Sequence, residues 1–321
     1  MRRILVLGGT GWLGQHVASA ALAEGAEVTC LARGDSGAPP DGAHHVVSDR
    51  RDPDAYATLA GEWDEVIELT YDREFVTGAL TALSARAAHW TLVSTISVYA
   101  DAATPGADES SPVVEPQGLA NYADAKVAAE RTTAAARGAS LLVARPGLIV
   151  GPGDPSDRFG YWPGRLDRGG DVLVPDLRDR FAQVIDVADL AAWIIDASRS
   201  GHTGVMDAVG PSIPMSELFD VVRDVTAFDG DLISVDDETL VAHDIAYWAG
   251  PRSLPLWLPA DHTGFAQRSG AAYLSAGGKH RPLREIIERA HADELARGRD
   301  RPRRAGMSAA EEAGVLRAML A

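Results

Sequence analysis

Two side chains suited to moving a proton lie one helical turn apart near the middle of the chain. Tyr122 and Lys126 fall in an alanine-rich segment, residues 122–137, that predicts a helix with both on one face. Free tyrosine has a pKa of about 10, and an adjacent ammonium group favours the phenolate. Lysine is rare in this chain, since Lys126 and Lys279 are the only two among 30 basic residues. The pair predicts a general acid–base site; an amphipathic helix carrying both by chance is the alternative.

A glycine-rich turn near the N-terminus predicts a dinucleotide site. Gly8, Gly11 and Gly14 follow an apolar run and open a predicted helix. In that context the glycines permit a tight turn, a close approach of backbone to pyrophosphate, and close helix packing. The helix N-terminus adds N–H groups and partial positive charge for the phosphates. The residues assigned to this part of the cofactor are Gly8, Thr10, Gly11, Trp12, Leu13 and Gly14.

The end of the second predicted strand indicates which dinucleotide binds. NAD-binding chains place an acid there for the ribose hydroxyls, whereas this chain has Arg33. An arginine suits a 2′-phosphate, so the expected cofactor is NADP. Asp35 keeps NAD open as the alternative.

The elements that must position these residues alternate between short β-branched runs and helical stretches, which is typical of a parallel sheet with crossover helices. Predicted strands are residues 4–7, 27–32, 45–47, 66–70, 90–94, 141–144 and 205–209. Predicted helices are residues 11–24, 53–59, 75–87, 122–137, 187–198, 282–297 and a last one from residue 308. Residues 151–163 and 250–259, rich in proline and aromatic side chains, are predicted to be irregular loops.

Composition excludes several classes of protein. The chain has 321 residues, 46% apolar side chains and a net charge of −16, which predicts a folded protein that coats neither nucleic acid nor anionic membrane. A single cysteine, Cys30, rules out an internal disulfide, and no run approaches the roughly 18 apolar residues of a membrane span. We therefore expect a soluble, cytoplasmic protein. No metal is expected, because the nine histidines lack ligand spacing.

Taken together, these motifs resemble the extended short-chain dehydrogenase/reductase family, also called the NAD-dependent epimerase/dehydratase family. The resemblance covers residues 4 to about 190 and rests on the glycine turn, Asp49-Arg50-Arg51-Asp52, the run from Ser94 to Tyr99, Tyr122 with Lys126, the run from Arg145 to Pro152, and that from Val184 to Leu190. It implies an α/β fold: a Rossmann-type doubly wound parallel sheet with a smaller C-terminal α+β substrate domain. The implied cofactor domain comprises residues 1–150 plus about 183–210, and the substrate domain about 151–182 plus 211–321.

The resemblance also implies roles for single residues. Thr95 corresponds to the catalytic hydroxyl, so the catalytic set is Thr95, Tyr122 and Lys126. Lys126 contacts the nicotinamide ribose as well. Further cofactor contacts are implied at Asp49 for the adenine, at Leu69 and Thr70 beside the nicotinamide ribose, and at Pro146 for the nicotinamide. The chain departs from the family at Ala100, which replaces a glycine, and at Ala32-Arg33, which replaces the acid of NAD-binding members.

The expected reaction is hydride transfer between NADP(H) and the carbonyl or alcohol carbon of a small-molecule substrate. Tyr122 would exchange the proton of the substrate oxygen while Thr95 orients it, with Lys126 lowering the pKa of Tyr122. Position near strand ends or in the aromatic segment after Pro152 nominates a substrate pocket. Its predicted residues are Tyr71, Tyr99, Phe159, Tyr161, Trp162 and Gln183.

Two other functions stay open from the sequence. A nucleotide-sugar epimerase or dehydratase would use the same set for transient oxidation, although Ile96-Ser97 replace the acidic pair of a dehydratase; Arg158, Arg165 and Arg252 are candidates for a diphosphate. The other alternative is a non-catalytic cofactor- or RNA-binding protein. Residues 279–304 hold nine basic and five acidic side chains, predicting a solvated helix and tail or a docking surface, and a homodimer is a further open alternative.

Overall fold

A seven-stranded parallel sheet forms the centre of the computed structural model, which describes residues 1–320. The strands of the described chain are β1 (Arg3–Leu7), β2 (Glu27–Ala32), β3 (His44–Val47), β4 (Trp63–Glu68), β5 (Ala87–Val93), β6 (Leu141–Pro146), β7 (Leu148–Val150), β8 (Val172–Pro175), β9 (Phe181–Asp186), β10 (Gly204–Ala208), β11 (Ser212–Pro214), β12 (Leu232–Val235), β13 (Ala246–Trp248) and β14 (Ser253–Pro255). The sheet has the order β10-β6-β5-β4-β1-β2-β3. This order reverses direction between β1 and β4, so the carboxyl ends of these strands form the crevice where doubly wound folds bind ligands.

Helices cover both faces of the sheet. The helices are α1 (Trp12–Ala23), α2 (Arg73–Leu83), α3 (Tyr122–Arg137), α4 (Arg158–Leu166), α5 (Val187–Arg199), α6 (Met215–Thr226), α7 (Asp237–Ala242), α8 (Ala271–Ser275), α9 (Leu283–Arg297) and α10 (Ala309–Leu320). One apolar core joins α1 and α5 to the sheet, and another joins α2 and α3 to its opposite face. None of these helices within residues 1–320 combines the length and the apolar character needed to cross a bilayer.

A separate apolar core lies beyond the sheet. Residues of α4, α6 and α9 pack there with β8 and the segment around β14. The smaller sheets of this region have two or three strands, in the orders β11-β9-β7, β12-β8 and β13-β14. The Rossmann-type arrangement of the central sheet therefore continues into a second layer of mixed helices and short strands.

The predicted elements agree with the central sheet and disagree elsewhere. All seven predicted strands are strands of that sheet, with ends shifted by a few residues. Residues 53–59, predicted as a helix, form consecutive turns instead. Residues 151–163 are only partly loop, because α4 starts at Arg158 and accommodates Pro163 inside it. Residues 250–259 contain the short strand β14.

Part of the basic C-terminal stretch forms an internal ion-pair cluster, while Arg284, Arg299 and Arg304 of the same stretch are exposed. Asp157 precedes α4, has the left-handed backbone conformation and is buried. Its carboxylate forms ion pairs with Arg297 at 3.1 Å and with Arg301 at 2.6 Å. Glu294 of α9, also buried, lies 2.9 Å from Arg301 and 2.6 Å from Arg303. We call this group, Asp157, Glu294, Arg297, Arg301 and Arg303, the C-terminal clamp. It fixes the start of α4 to the chain that follows α9.

A second buried charge pair lies within the sheet. Glu65 of β4 faces His89 of β5 in register, with Nδ1 of the histidine 2.6 Å from the carboxylate. Nε2 lies 2.9 Å from the carbonyl oxygen of His202, so both ring nitrogens face acceptors. Burial works to lower the pKa of His89, but the hydrogen bond and charge of Glu65 outweigh it, and the pKa is raised above its ordinary value. The geometry favours the doubly protonated imidazolium.

This pair predicts a pH-dependent stability. A raised folded-state pKa means that protonated His89 stabilises the native protein fully below the unfolded pKa of about 6.5, and that this stabilisation disappears as the pH rises through the folded value. We expect His89→Gln to lower the free energy of unfolding more at pH 6 than at pH 9. Urea unfolding of both proteins at each pH measures the difference. A gap between the two proteins that stays constant over this range would contradict a charged His89.

Candidate active site

The glycine turn after β1 has the geometry that a dinucleotide requires. Gly8 has φ of +95°, and a Cβ added to Gly14 would lie 2.3 Å from the carbonyl oxygen of Gly8. Asp72 caps α2 and Asn121 caps α3 with a side chain, whereas Gly11 gives α1 no side-chain cap. The first N–H groups of α1 therefore stay free of any protein cap. These features fit a pyrophosphate at this helix end.

A groove of about 320 Å³ extends from this turn along the ends of β1, β2 and β4. Arg33 lies at its edge, with its guanidinium 3.0 Å from Asp35 and 4.0 Å from Asp49. Ser36 also lines the groove and was not predicted from the sequence. Other predicted cofactor residues that line it are Gly8, Thr10, Gly11, Leu69 and Thr70. The groove is large enough for the adenosine half of a dinucleotide, and it holds both a cation and an acid beside the expected ribose.

A buried ion pair supports the floor of the groove. Arg50 lies 2.9 Å and 2.5 Å from the two carboxylate oxygens of Glu68, which is fully buried at the end of β4. Glu68 also accepts the backbone N–H of Thr70 at 3.1 Å. The charge of Glu68 raises the pKa of Arg50 although burial opposes it. This pair holds the backbone of Leu69 and Thr70 in place. It is recognised only in the structure, where both charged groups are buried.

A second cavity, of about 490 Å³, shares Leu69 and Tyr71 with the groove. It brings together the three residues of the predicted catalytic set, Thr95, Tyr122 and Lys126. Predicted cofactor residues in its wall are Trp12, Leu13, Leu69, Lys126 and Pro146. Residues separated by more than a hundred positions thus share one cavity next to the dinucleotide groove.

Lys126 is almost fully buried in this wall, at 5% exposure. Its Nζ donates a hydrogen bond to the carbonyl oxygen of Val93 at 2.8 Å and lies 4.9 Å from the ring centroid of Tyr71. Burial lowers the pKa of Lys126 to about 8, against the opposing charges of Glu68 and Glu130. The ammonium group is thus held by backbone at the end of β5, close to the position expected for the nicotinamide ribose.

Tyr122 is the first residue of α3, because Asn121 caps the helix by accepting the N–H groups of Ala123 and Asp124. Its ring is 46% exposed and meets the ring of Tyr71 edge-on at 5.1 Å. Desolvation by its surroundings raises the pKa of Tyr122, and a polar contact with Thr95 opposes the rise. Lys126 does not contribute the lowering of the Tyr122 pKa that the sequence predicted. The lysine is turned toward Val93 instead.

Most of the predicted substrate residues lie outside this cavity. Tyr71 is the one predicted substrate residue in its wall, at 41% exposure. Phe159, Tyr161 and Trp162 face the apolar core beyond the sheet, because α4 is a helix packed from both sides rather than a loop. Trp162, for example, donates to the carbonyl oxygen of Pro255 at 2.8 Å. Contrary to the prediction, none of these three aromatic residues lines the cavity that holds Thr95, Tyr122 and Lys126.

The other two predicted substrate residues are structural as well. Gln183 is buried, and its amide bridges the backbone of Gly210 and Arg268. The Tyr99 hydroxyl donates to Asp207 at 2.7 Å and accepts from Arg145 at 2.8 Å. Burial next to Asp207 raises the pKa of Tyr99. The polar groups of both side chains are engaged in hydrogen bonds beneath the site, and neither side chain faces the cavity.

Further residues line the cavity beside the predicted ones. Asp154, Trp248 and Phe265, which come from widely separated segments, were not predicted, and Arg158 lies with them. Arg158 was considered for a diphosphate, together with Arg165 and Arg252, but those two line a different cavity near the C-terminal clamp. Arg158 and Trp248 are 90 positions apart, so no local sequence pattern could indicate that they are in contact.

Comparison with known proteins agrees with this architecture. The sequence profile of the family described as "NAD dependent epimerase/dehydratase family" matches residues 4–208. The chain belongs to this family. Its members are the extended short-chain dehydrogenases/reductases, as the motifs around Tyr122 and Gly14 predicted. Epimerase family protein SDR39U1 from Homo sapiens is 28% identical over 229 residues, covering 65% of this chain and 75% of that protein.

Solved structures share the fold over nearly the whole chain. A putative epimerase from Burkholderia cenocepacia superposes with a TM-score of 0.72 at 19% identity, covering 92% of this chain and 98% of the other. RMD from Pseudomonas aeruginosa, solved with NADPH, has a TM-score of 0.64 at 21% identity, with 92% and 100% covered. UDP-glucose 4-epimerase from Thermus thermophilus, solved with NAD, has a TM-score of 0.66 at 18% identity, with 92% and 99% covered. The family to which the chain belongs is itself described as NAD dependent.

Proposed function

We propose that the protein is an NADP-dependent reductase or dehydrogenase acting on a carbonyl or alcohol. The observation that carries the proposal is the shared cavity of Thr95, Tyr122 and Lys126, continuous with a groove edged by Arg33. A bound nicotinamide supplies or accepts the hydride. In the direction of reduction, Tyr122 gives its hydroxyl proton to the substrate oxygen as the carbonyl carbon receives the hydride, and Thr95 orients that oxygen. Lys126 holds the ribose beside it.

The proposal also assigns the two halves of the structure. The apolar cores that include the central sheet correspond to the cofactor domain, residues 1–150 plus about 183–210. The core built on α4, α6 and α9 corresponds to the substrate domain, about 151–182 plus 211–321. The catalytic cavity draws residues from both, because Tyr122 and Lys126 come from the first and Arg158 and Trp248 from the second.

NADPH consumption tests the proposal. The full chain is incubated with NADPH and a panel of aldehydes and ketones, and absorbance of the reduced cofactor is followed. Stoichiometric oxidation of NADPH with formation of the alcohol is expected. Interconversion of a nucleotide sugar without net change in cofactor would support the second candidate, an epimerase like the structurally similar Thermus thermophilus enzyme.

Preference for NADP over NAD is expected to depend on Arg33. Charge-assisted hydrogen bonds to phosphate are strong, so Arg33→Ala should weaken NADPH binding by about tenfold and change NADH binding little. Equilibrium fluorescence titration with both cofactors measures this. Arg51→Ala is the matched control, because Arg51 is an exposed neighbour that pairs with Asp49 but does not line the groove. Tighter binding of NADH than NADPH to the unmodified protein would overturn the assignment.

A further inference from the structure

The catalytic cavity contains a cation, Arg158, that forms no ion pair within residues 1–320. Arg158 is the first residue of α4 and lines the cavity together with Tyr122. Its guanidinium carbon lies 5.0 Å from the ring centroid of Trp248, and its Nε donates to the Ser156 hydroxyl at 3.2 Å. This cation–π contact and the hydrogen bond to Ser156 hold the guanidinium in place.

Three arginines with buried side chains are each neutralised by a carboxylate. Arg50 pairs with Glu68, Arg145 with Glu130 at 2.6 Å, and Arg268 with Asp207 at 2.7 Å. Among residues 1–320, Arg158 has no carboxylate within ion-pair distance. An arginine that is left without a counter-charge in a secluded place is costly, so its retention needs another explanation.

The acid that acts on Arg158 from a distance is already occupied. Asp154 lines the same cavity, but its carboxylate accepts the backbone N–H of Ser156 at 2.8 Å and the Ser156 hydroxyl at 2.9 Å. Burial raises the pKa of Asp154, which weakens it further as a partner. Burial also lowers the pKa of Arg158, against the charges of Asp154 and Tyr122. Asp154 thus acts on Arg158 only from beyond ion-pair distance.

We propose that Arg158 binds an oxyanion, a carboxylate or a phosphate, carried by the substrate whose carbonyl Tyr122 protonates. That the substrate has a carbonyl rests on the proposed function, whereas that it carries an anion is argued from the surroundings of Arg158. The edge of a guanidinium offers parallel N–H donors that match two oxygens of such a group. Trp248 and Phe265, whose rings meet edge-on at 5.5 Å, supply an apolar wall beside it. The substrate is thus an anionic carbonyl compound with an apolar portion.

Small aromatic probes test the site without turnover. Isothermal titration calorimetry compares benzoate, phenyl phosphate and neutral benzamide on the full chain, with and without NADP. We expect at least one of the two anions to bind about tenfold or more tightly than benzamide, because a charged partner strengthens each hydrogen bond. Preference for benzoate identifies a carboxylate, and preference for phenyl phosphate identifies a phosphate. Equal affinity for all three probes, or no binding, overturns the inference.

Variants assign the preference to Arg158. Arg158→Gln is expected to remove the preference for the anion, and Arg158→Lys to keep part of it because the charge remains but the fork is lost. Arg178→Gln, at an exposed arginine outside the cavity, should leave the preference intact. Urea unfolding checks that each variant is folded. If folded Arg158→Gln and Arg158→Lys both retain the full preference, the anion binds elsewhere and the inference fails.

The two proposals fail in different experiments. Absence of any NADPH-dependent carbonyl reduction, with anion preference still lost in Arg158→Gln, counts against the reductase and leaves the anion site standing. Reduction of a ketone at the same kcat/KM as its carboxylate-bearing analogue, unchanged in Arg158→Gln, counts against the anion site and leaves the reductase standing.

Discussion

Replacing Tyr122 by phenylalanine is expected to lower kcat by about 10²- to 10⁴-fold, the range typical of general acid–base catalysis, while leaving NADPH affinity nearly unchanged. The substitution removes one hydroxyl and keeps the ring, which packs edge-on against Tyr71. Lys126 stays in place because its hydrogen bond goes to the Val93 carbonyl and not to Tyr122. Stopped-flow absorbance of NADPH under single-turnover conditions measures the chemical step, and fluorescence titration measures cofactor binding.

The matched control for this prediction is Tyr247→Phe. Tyr247 also loses only a hydroxyl, and it lies outside the cavity, packed against Trp257. Its turnover should equal that of the unmodified protein. Turnover in Tyr122→Phe that stays within a few-fold of the unmodified rate would remove Tyr122 from the proton transfer and would leave Thr95 as the residue to examine.

A large loss of stability is expected from Asp207→Ala. Asp207 of β10 is fully buried and accepts from both the Tyr99 hydroxyl and Nε of Arg268. Removing its carboxylate strands the buried Arg268 guanidinium, whose carbon lies 3.3 Å from the ring centroid of Tyr99. Breaking a buried pair in this way typically costs about 3–5 kcal/mol, so the urea midpoint should fall steeply.

Asp176→Ala is the exposed counterpart of this experiment. Asp176 lies 2.5 Å from Arg178, an arginine on the open surface, where water and salt weaken the attraction. Its urea midpoint should move little. A loss in Asp207→Ala no greater than that in Asp176→Ala would show that the network around Tyr99 does not support the fold.

What the sequence predicted well depends on short-range patterns. The turn around Gly8 and Gly14 and the spacing of Tyr122 and Lys126 are properties of a few consecutive residues, and the structure keeps them together in the groove and the cavity. The seven strands of the central sheet were predicted for the same reason, since a buried parallel strand is a continuous apolar run.

The rest depends on partners far away in the chain. The prolines and aromatic residues around Trp162 predict a pocket residue. In the structure the ring of Phe219 packs against Trp162, with the ring centroids 4.7 Å apart, so Trp162 belongs to the apolar core. Arg301 lies in a basic stretch whose sequence does not indicate its partners, and in the structure those partners are Asp157 and Glu294. A helix that tolerates Pro163 likewise owes its stability to tertiary packing rather than to local propensity.

The C-terminal clamp has a consequence for how the chain is made. Asp157 and Arg301 are separated by 144 positions, so a ribosome exposes the acid long before its partner has been synthesised. Chains fold from the N-terminus while translation proceeds, and the strands and turn that form the dinucleotide groove are complete early. The start of α4, and with it Arg158, is secured only after Arg301 emerges. Translation that halts between these positions would leave a product able to hold the adenosine half of a dinucleotide but with an unfinished catalytic cavity.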